Sequence, residues 1–283
     1  MKLSIASGKG GTGKTTVATS LAKIASENGR TVAYLDCDVE EPNGHVFLRP
    51  ELTRREDVTR PVPEIVADKC THCGLCAEAC QYNAVACVGD RTVVFPELCH
   101  SCGGCALVCP ADAVVEVDRV VGRLEAGRAG KAQFVQGILD VGEPTSPPVI
   151  RAVRAAGAEA DLVIIDAPPG TSCPMVESVR GSDFVVLVAE PTLFGLHDLQ
   201  LAVEVVRSLK LPFGVVINRA GAGERELVEY CRVGHIDILA RIPDDRRIAE
   251  AYSRGEPACD VDAPYAELFR DLLGRLGEAV GQT

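Results

Sequence analysis

The chain has 283 residues, of which 47% are hydrophobic and 24% are charged, and its formal net charge is -11. This length allows one sizeable α/β core and a small second module. The acidic balance disfavours non-specific binding to nucleic acid or to an anionic membrane. No apolar run approaches the roughly 20 residues of a membrane helix, and the first residues lack a secretory cleavage pattern. We therefore expect a cytoplasmic protein without a nucleic-acid partner or stable membrane insertion.

Strand and helix signals alternate in the first part of the chain. A short apolar strand over 2–6 precedes a glycine-rich turn and a helix that is predicted from Lys14 to about Asn28. A second strand, over 31–35, follows and ends in acidic residues. The order strand, loop, helix, strand predicts a parallel sheet. Residues 40–69 are polar and rich in proline, and we interpret them as a connection that leaves the first domain.

The alternation resumes after a cysteine-rich segment. Extended segments and turns are predicted over 118–148, and helices and strands then alternate to the end of the chain. The predicted strands span 162–166, 184–189, 213–217 and 236–242, and the predicted helices span 149–158, 196–209, 224–232, 246–253 and 264–279. The predicted fold is α/β, a mainly parallel sheet with helices on both faces that is interrupted by a small α+β insert. The predicted domain boundaries are 1–60 and 118–283 for the main domain and 61–117 for the insert.

Residues 8–15 read Gly-Lys-Gly-Gly-Thr-Gly-Lys-Thr and match the phosphate-loop motif G-x-x-x-x-G-K-[ST]. The motif follows a predicted strand and opens a predicted helix, which makes a glycine turn without a ligand a poor alternative. Glycines let the backbone N–H groups surround phosphates, and the helix N-terminus adds a favourable dipole. We expect Lys14 to contact the β- and γ-phosphates and Thr15 to bind Mg²⁺. The predicted nucleotide contacts in this loop are Gly8, Gly10, Gly11, Thr12, Gly13, Lys14, Thr15 and Thr16.

A second lysine, Lys9, lies inside the loop. With it, the segment resembles the deviant Walker A motif of the MinD/ParA/Mrp P-loop ATPases and the nitrogenase iron protein. The resemblance implies an ATP-dependent homodimer in which Lys9 reaches the partner's nucleotide; the alternative is a solvated loop lysine. Asp36-Cys37-Asp38 resembles the family's switch I, so Asp38 would position the attacking water and Asp36 would support the metal. Asn43 lies in the same loop and is placed to touch the nucleotide.

Two later segments also carry the resemblance. Asp166 begins a D-A-P-P-G segment that resembles switch II, which implies that its carboxylate binds Mg²⁺ through water. Asn218 opens a segment that resembles the family's base-reading segment, and Pro243 lies in one that resembles the loop over the base. Gly221 stands where the N-K-x-D motif of a GTPase would carry aspartate, so ATP is favoured over GTP.

Nine of the 13 cysteines fall between Cys70 and Cys109. Because a cytoplasmic protein keeps its thiols reduced, this density indicates metal binding and not disulfides. The run C-x2-C-x2-C-x3-C occurs twice, as in bacterial ferredoxins, where the fourth cysteine of each run serves the other [4Fe-4S] cluster. Zinc is the alternative ligand for paired cysteine motifs. Cluster one is predicted at Cys70, Cys73, Cys76 and Cys109, and cluster two at Cys99, Cys102, Cys105 and Cys80.

Cys173 needs a separate interpretation. It lies seven residues after Asp166, the offset of a cluster-binding cysteine in the nitrogenase iron protein, which the segment resembles. That protein needs a second cysteine upstream, and none lies between Cys109 and Cys173. We therefore interpret Cys173 as a non-ligand. We also expect the C-terminal helix to pack on the sheet, because it lacks the basic flank of a membrane-binding helix.

These observations together predict a dimeric Mg-ATPase with two [4Fe-4S] clusters in a ferredoxin-like insert. The predicted catalytic residues are Lys9, Lys14 and Asp38, and the predicted Mg²⁺ site comprises Thr15, Asp36 and Asp166. Three roles remain open: an ATP-gated electron donor to an unidentified redox partner, an iron–sulfur cluster carrier or scaffold, and a positioning ATPase with structural clusters. Complete ferredoxin-type ligation favours electron transfer, because a carrier must release its cluster.

Overall fold

A nine-stranded sheet forms the centre of the protein in the computed structural model, which describes residues 1–157, 159–221 and 223–281. The strand order is β11-β10-β9-β1-β8-β2-β7-β6-β3, and β4 and β5 form a separate hairpin. The strands are β1 (Lys2–Ala6), β2 (Val32–Asp36), β3 (Glu51–Ile65), β4 (Val85–Val88), β5 (Arg91–Val94), β6 (Val114–Ala129), β7 (Ala132–Leu139), β8 (Leu162–Asp166), β9 (Phe184–Ala189), β10 (Phe213–Ala220) and β11 (Ile238–Pro243).

Ten α-helices are assigned in the same described ranges, together with short 3₁₀ turns at Ala67–Lys69, Pro96–Leu98 and Ala258–Asp260. The helices are α1 (Lys14–Glu27), α2 (Gly44–Leu48), α3 (Leu75–Ala79), α4 (Gly104–Leu107), α5 (Pro147–Ala156), α6 (Cys173–Val179), α7 (Leu193–Ser208), α8 (Arg225–Val233), α9 (Arg246–Ser253) and α10 (Ala263–Gly281). None of the helices in the described part of the chain is long and apolar enough to cross a bilayer.

The predicted α/β architecture is confirmed. From β11 to β7 every neighbouring pair of strands is parallel, and only β6 and β3 add antiparallel pairs at one edge. Helices α1 and α10 pack on one face of the sheet, and α5, α6, α7 and α8 pack on the other. Because both faces are covered, the central strands are continuous apolar runs, and β2 and β8 are buried at every position.

The C-terminal helix packs as predicted. Phe269, Leu272 and Leu276 of α10 are buried in the same apolar cluster as Leu3 of β1 and Val17 of α1. The helix therefore contributes its apolar stripe to the core of the sheet.

The connection predicted over residues 40–69 contains regular structure that the sequence did not predict. This segment contains α2 and the long strand β3, which lies at the edge of the sheet and pairs only with β6 among the described strands. Proline lacks an N–H group and is tolerated on an edge strand, so Pro61 and Pro63 do not interrupt β3. Helix α6 was also not predicted.

Strands β3 and β6 continue beyond the sheet as a two-stranded stalk. Residues 122–129 of β6 pair with β7 on one side and with β3 on the other. Among the described strands, residues 114–120 pair only with 59–65 of β3, and the register shifts between Val58 and Thr59, where this ribbon begins. A register shift of this kind bends and twists a strand pair. The stalk leads to the cysteine-rich segment, and the predicted boundaries at 61 and 117 fall within it.

Candidate nucleotide site and cysteine centres

The phosphate loop joins β1, in the middle of the sheet, to the N-terminus of α1. Gly13, which precedes α1, adopts a left-handed conformation with φ of 94°, and no acidic side chain lies in the first turn of the helix. The helix N–H groups and dipole are therefore available to an anion. Thr12, Lys14 and Thr16 are buried, whereas Gly10 and Gly11 are exposed at the tip of the loop.

Two glycines of the loop are required by close contacts. A Cβ atom at Gly8 would lie 2.0 Å from the carbonyl oxygen of Asp198 in α7. A Cβ atom at Gly13 would lie 2.2 Å from Nδ2 of Asn218. The Asn218 amide also donates a hydrogen bond to the Thr12 carbonyl oxygen at 2.8 Å. Asn218 therefore supports the phosphate loop, and its contact with the base stays a prediction.

Asp36 and Asp166 lie side by side at the carboxyl ends of β2 and β8, where they are partners in the parallel register. Both are fully buried, and burial raises the pKa of each carboxyl. Oδ2 of Asp166 accepts a hydrogen bond from the Tyr34 hydroxyl at 2.9 Å, and Oδ1 has no hydrogen-bond partner among the described residues. A buried carboxylate oxygen without a protein donor fits the predicted contact with Mg²⁺ and its water.

Asp36 holds the backbone of the switch I loop. Its Oδ2 accepts the N–H groups of Asn43 and Gly44 at 3.1 and 2.8 Å, and its Oδ1 accepts the N–H group of Asp38 at 3.2 Å. Both oxygens are therefore occupied by protein donors. This arrangement positions the loop from Asp38 to Gly44, while a direct metal contact by Asp36 stays a prediction.

Lys14 lies among the acidic side chains of the site. Burial lowers the pKa of its ammonium group, and the carboxylates of Asp166, Asp38 and Asp36 oppose that shift. Asp38 is half-buried; burial raises its pKa to about 6, against the favourable effect of Lys14. The structure thus brings Lys14, Asp36, Asp38 and Asp166 together, as the sequence predicts. Thr15, in the first turn of α1, also lies beside Asp166.

Lys9 points to a carboxylate of its own chain. Its Nζ lies 3.6 Å from Oε2 of Glu190, which follows β9, and the other oxygen of Glu190 accepts a hydrogen bond from Arg219 at 2.5 Å. The Lys9 side chain remains 33% exposed. An ion pair with this exposure contributes little free energy, so Lys9 can leave Glu190 at small cost.

The other predicted nucleotide contacts lie along the same edge of the sheet. Pro243 ends β11 and is paired in register with Ala220 at the end of β10. Asn43 precedes α2, and in the described part of the chain its buried Oδ1 has no hydrogen-bond partner. Sequence reasoning missed Tyr34 and Glu190, because each acts through a contact with a residue far away in the chain. A tyrosine two residues before Asp36 in an otherwise aliphatic strand was the available signal for Tyr34.

The eight predicted cluster ligands line two small cavities at the end of the stalk. The first cavity is lined by Cys70, Cys73, Cys76 and Cys109, and the second by Cys80, Cys99, Cys102 and Cys105. Each cavity thus contains the predicted set of four, three from one run and one from the other. Within the described ranges no three His, Cys, Asp or Glu side chains form a group that could hold a single metal ion.

The two halves of the insert repeat the same local structure at a constant spacing along the chain. Gly74 and Gly103 have φ of 82° and 71° and precede α3 and α4, respectively. The backbone N–H groups of Ala84 and Ala113 each donate to a cysteine sulfur, Cys80 and Cys109, at 3.2 Å. Donors aimed at sulfur stabilise a thiolate, and they lower the pKa of Cys109.

Comparisons with known proteins agree with this architecture. The CbiA family model, described as the CobQ/CobB/MinD/ParA nucleotide binding domain, matches residues 3–258. An uncharacterized protein of Methanocaldococcus jannaschii is 33% identical over 99% of this chain and 98% of its own length. An iron-sulfur cluster carrier protein of the same organism is 23% identical over 99% of this chain and 84% of its own.

A solved structure shows the same fold. The septum site-determining protein MinD of Pyrococcus horikoshii, in complex with Mg-ADP, is similar to this chain with a TM-score of 0.59 at 22% identity. The match covers 97% of this chain and 95% of that chain. At this identity the likeness concerns the fold alone.

Proposed function

The chain belongs to the CobQ/CobB/MinD/ParA nucleotide-binding family, and from that premise we propose that it is a dimeric Mg-ATPase whose nucleotide state is coupled to two [4Fe-4S] clusters in electron transfer. The observation that carries the proposal is the pair of four-cysteine cavities at the end of a stalk that continues two strands of the nucleotide-binding sheet. One covalent ribbon therefore connects the two kinds of site.

The nucleotide site has the residues that phosphoryl transfer requires. Lys14 would neutralise the β- and γ-phosphates, and Thr15 with the unpartnered oxygen of Asp166 would hold Mg²⁺ and its water. Mg²⁺ would supply charge neutralisation at the phosphate oxygens. Asp38 would orient the attacking water. The hydrogen bond from its backbone N–H group to Asp36 holds it in the same site. The fold shared with a MinD protein that was solved in complex with Mg-ADP supports a site for nucleotide and Mg²⁺ here.

The cysteine cavities have the ligand sets of two cubane clusters. Each has four thiol groups from two separate runs, and sulfur-directed N–H groups repeat at Cys80, Cys99 and Cys109. Hydrogen bonds to sulfur and limited solvent exposure are the features by which a protein tunes a cluster potential. Each cluster would supply a one-electron redox centre. A small redox protein would reduce it, and an acceptor protein would oxidise it.

A second copy of this chain is the proposed partner at the nucleotide site. Leu193 and Phe194 at the start of α7 are 73% and 80% exposed, and α7 lies against the phosphate loop through the contact between Asp198 and Gly8. A contiguous exposed apolar patch is typical of an interaction site, and these two adjacent residues support an interface here. Lys9, with its weak bond to Glu190, would cross that interface to the partner's nucleotide.

A cluster carrier is the second candidate function. The likeness to an iron-sulfur cluster carrier protein over 99% of this chain favours it. The carrier requires release of iron to an apo-acceptor, whereas the electron-transfer function requires clusters that stay bound through many turnovers.

The first prediction concerns metal content. Protein purified without oxygen should contain about eight irons per chain, from two clusters of four. Cys102→Ser should reduce this to about four, because Cys102 lines only the second cavity. Iron and zinc are measured by plasma mass spectrometry, and cluster type is measured by electron paramagnetic resonance.

Cys87→Ser is the matched control for this experiment. Cys87 lies in the same insert but lines neither cavity, and its sulfur donates to the His72 carbonyl oxygen at 3.4 Å. This variant should keep about eight irons. Stoichiometric zinc in place of iron, in protein made with an intact cluster supply, would reject the cluster assignment.

The second prediction separates electron transfer from the other roles. A non-hydrolysable ATP analogue should shift the potential of at least one cluster, and reduction should change nucleotide affinity by the same free energy. A typical coupling of about 1–3 kcal/mol corresponds to roughly 40–130 mV for one electron. Redox titration followed by electron paramagnetic resonance, with and without the analogue, measures the shift. Unmoved potentials would favour structural clusters, and loss of iron to an apo-acceptor would favour the carrier.

A further inference from the structure

Glu143 joins the two strands of the stalk at its base. Its Oε2 lies 3.5 Å from Nη2 of Arg60 on β3, and its Oε1 lies 2.7 Å from Nη2 of Arg119 on β6. Arg60 and Arg119 are direct partners in the antiparallel register. The side chains of Arg60 and Glu143 are only 3% and 7% exposed. We call these three residues the Glu143 link; their charges hold one another in a defined arrangement.

The link reaches the loop that contains the ligands of the second cavity. Arg60 donates hydrogen bonds to the carbonyl oxygens of Cys99 and Pro96, both at 2.8 Å, and to the Ser101 hydroxyl at 3.3 Å. The corresponding position of the first half is Cys70, and among the described residues no arginine donates to its carbonyl oxygen. The connection is therefore specific to the second half of the insert.

The other end of the link reaches the nucleotide site. Glu143 lies in the loop that follows β7, and at the end of β7 the N–H group of Leu139 donates to the carbonyl oxygen of Val39 at 2.8 Å. Val39 directly follows Asp38 in the switch I loop. The N–H group of Asp140 donates to the carbonyl oxygen of Val121 at 3.0 Å, which fixes the same loop to the base of the stalk.

The Glu143 link lies at the bend between the sheet and the stalk. It lies next to the register shift between Val58 and Thr59, where the stalk leaves the sheet. Beyond this shift the stalk strands pair only with each other in the described structure, so the bend there sets the direction of the whole insert. A displacement of the loop after β7 would act on the stalk at this bend.

We infer that Glu143 and Arg60 are positioning residues that couple the switch I loop to the ligand loop of the second cluster, and not to that of the first. The inference rests on the proposed function. When the γ-phosphate moves the loop from Asp38 to Gly44, as it moves switch loops in P-loop enzymes, the bond between Val39 and Leu139 displaces the loop after β7. Glu143 then displaces Arg60, and Arg60 displaces the carbonyl groups of Pro96 and Cys99.

Glu143→Gln tests the link with little change in shape. A carboxylate accepts from both arginines through separate oxygens, whereas a glutamine has one acceptor oxygen. The amide should keep the shorter bond to Arg119 and lose the longer one to Arg60. Glu97→Gln is the matched control, because Glu97 contacts Arg119 at 3.4 Å and makes no hydrogen bond to Arg60. The probe is adenylyl imidodiphosphate with Mg²⁺, added to the fully loaded protein.

Two readouts are measured in each variant. In the wild type, the nucleotide should shift the potential of the second cluster more than that of the first, and it should change amide hydrogen exchange over 96–105 but not over 67–76. Glu143→Gln should lose most of both responses while keeping iron content and nucleotide affinity. Glu97→Gln should keep both responses, because it also removes one negative charge beside Arg119 but leaves the Glu143 link intact.

The outcomes separate the inference from the proposed function. If neither potential responds to nucleotide in the wild type, the gated function is rejected and the link with it. A wild-type response that survives in Glu143→Gln and in Glu143→Ala rejects the link alone. Equal losses in Glu143→Gln and Glu97→Gln would show a charge effect on the potential and would also overturn the link. If Glu143→Ala does not fold, Glu143→Gln decides.

Discussion

Lys14→Ala is expected to lower the affinity for ATP by at least about 100-fold, since charge-assisted hydrogen bonds to phosphate contribute about 1.5–3 kcal/mol each. The substitution also removes the ammonium group that balances the negative charges of Asp36, Asp38 and Asp166. The other lysine of the phosphate-loop segment 7–16 is Lys9, at the tip of the loop. The remaining carboxylates would then repel the triphosphate. Isothermal titration with Mg-ATP measures the loss.

Lys23→Ala is the matched control for Lys14→Ala. Lys23 lies on the same helix, α1, but forms an ion pair with Asp260 at 2.6 Å, away from the phosphate loop. Its replacement should leave the affinity unchanged within about twofold, as expected for an exposed ion pair. Because Lys14 is buried, thermal unfolding without nucleotide must show that the variant folds. A folded Lys14→Ala protein that binds ATP like the wild type would contradict the site assignment.

Lys9→Ala is expected to bind ATP nearly as well as the wild type but to lose hydrolysis and ATP-dependent dimerisation. A cation supplied to a phosphoryl group from a second molecule contributes about 10³–10⁵ to kcat, so a loss of about 1000-fold or more is expected. In the single chain Lys9 contacts Glu190 and not an acidic group of the phosphate site. Its removal should therefore not disturb binding. Light scattering with Mg-ATP and a phosphate-release assay measure the two losses.

Glu190→Gln provides the opposite test. It removes the carboxylate that holds Lys9 within its own chain, and the neutral amide can still accept a hydrogen bond from Arg219. Dimerisation with ATP should be retained or strengthened, because Lys9 no longer has to leave a partner.

Hydrolysis by Lys9→Ala at the wild-type rate would show that the lysine does not act across an interface.

The central strands could be predicted because their burial dictates their sequence. β1, β8 and β9 are mainly apolar and were predicted with the bounds that the structure shows. Strand β3 could not be recognised in this way. Seven of its first eight residues are exposed. The charges of this part, and Pro61 and Pro63 farther along the strand, are also typical of a loop. Only its pairing with β6, far away in the chain, makes it a strand.

The site was predictable where motif spacing determines it. The phosphate loop and the two cysteine runs are local patterns, and the structure brings their members together. Gly74 and Gly103, both with positive φ, show that the backbone also repeats. The contacts of Tyr34, Glu190 and Glu143 depend on tertiary packing, and no local pattern could reveal them.

The edge strand β3 also affects how the protein behaves at high concentration. An uncovered strand edge can pair with the edge of another molecule and start aggregation. Pro61 and Pro63 lie two residues apart, so their imide nitrogens face the same side, which is the side away from β6. That side therefore lacks two of the donors that an added strand would need. Arg54, Arg55, Glu56 and Asp57 place alternating blocks of charge along the rest of the edge. The charges and prolines that make β3 difficult to recognise in the sequence thus protect the sheet from pairing with a strand of another molecule.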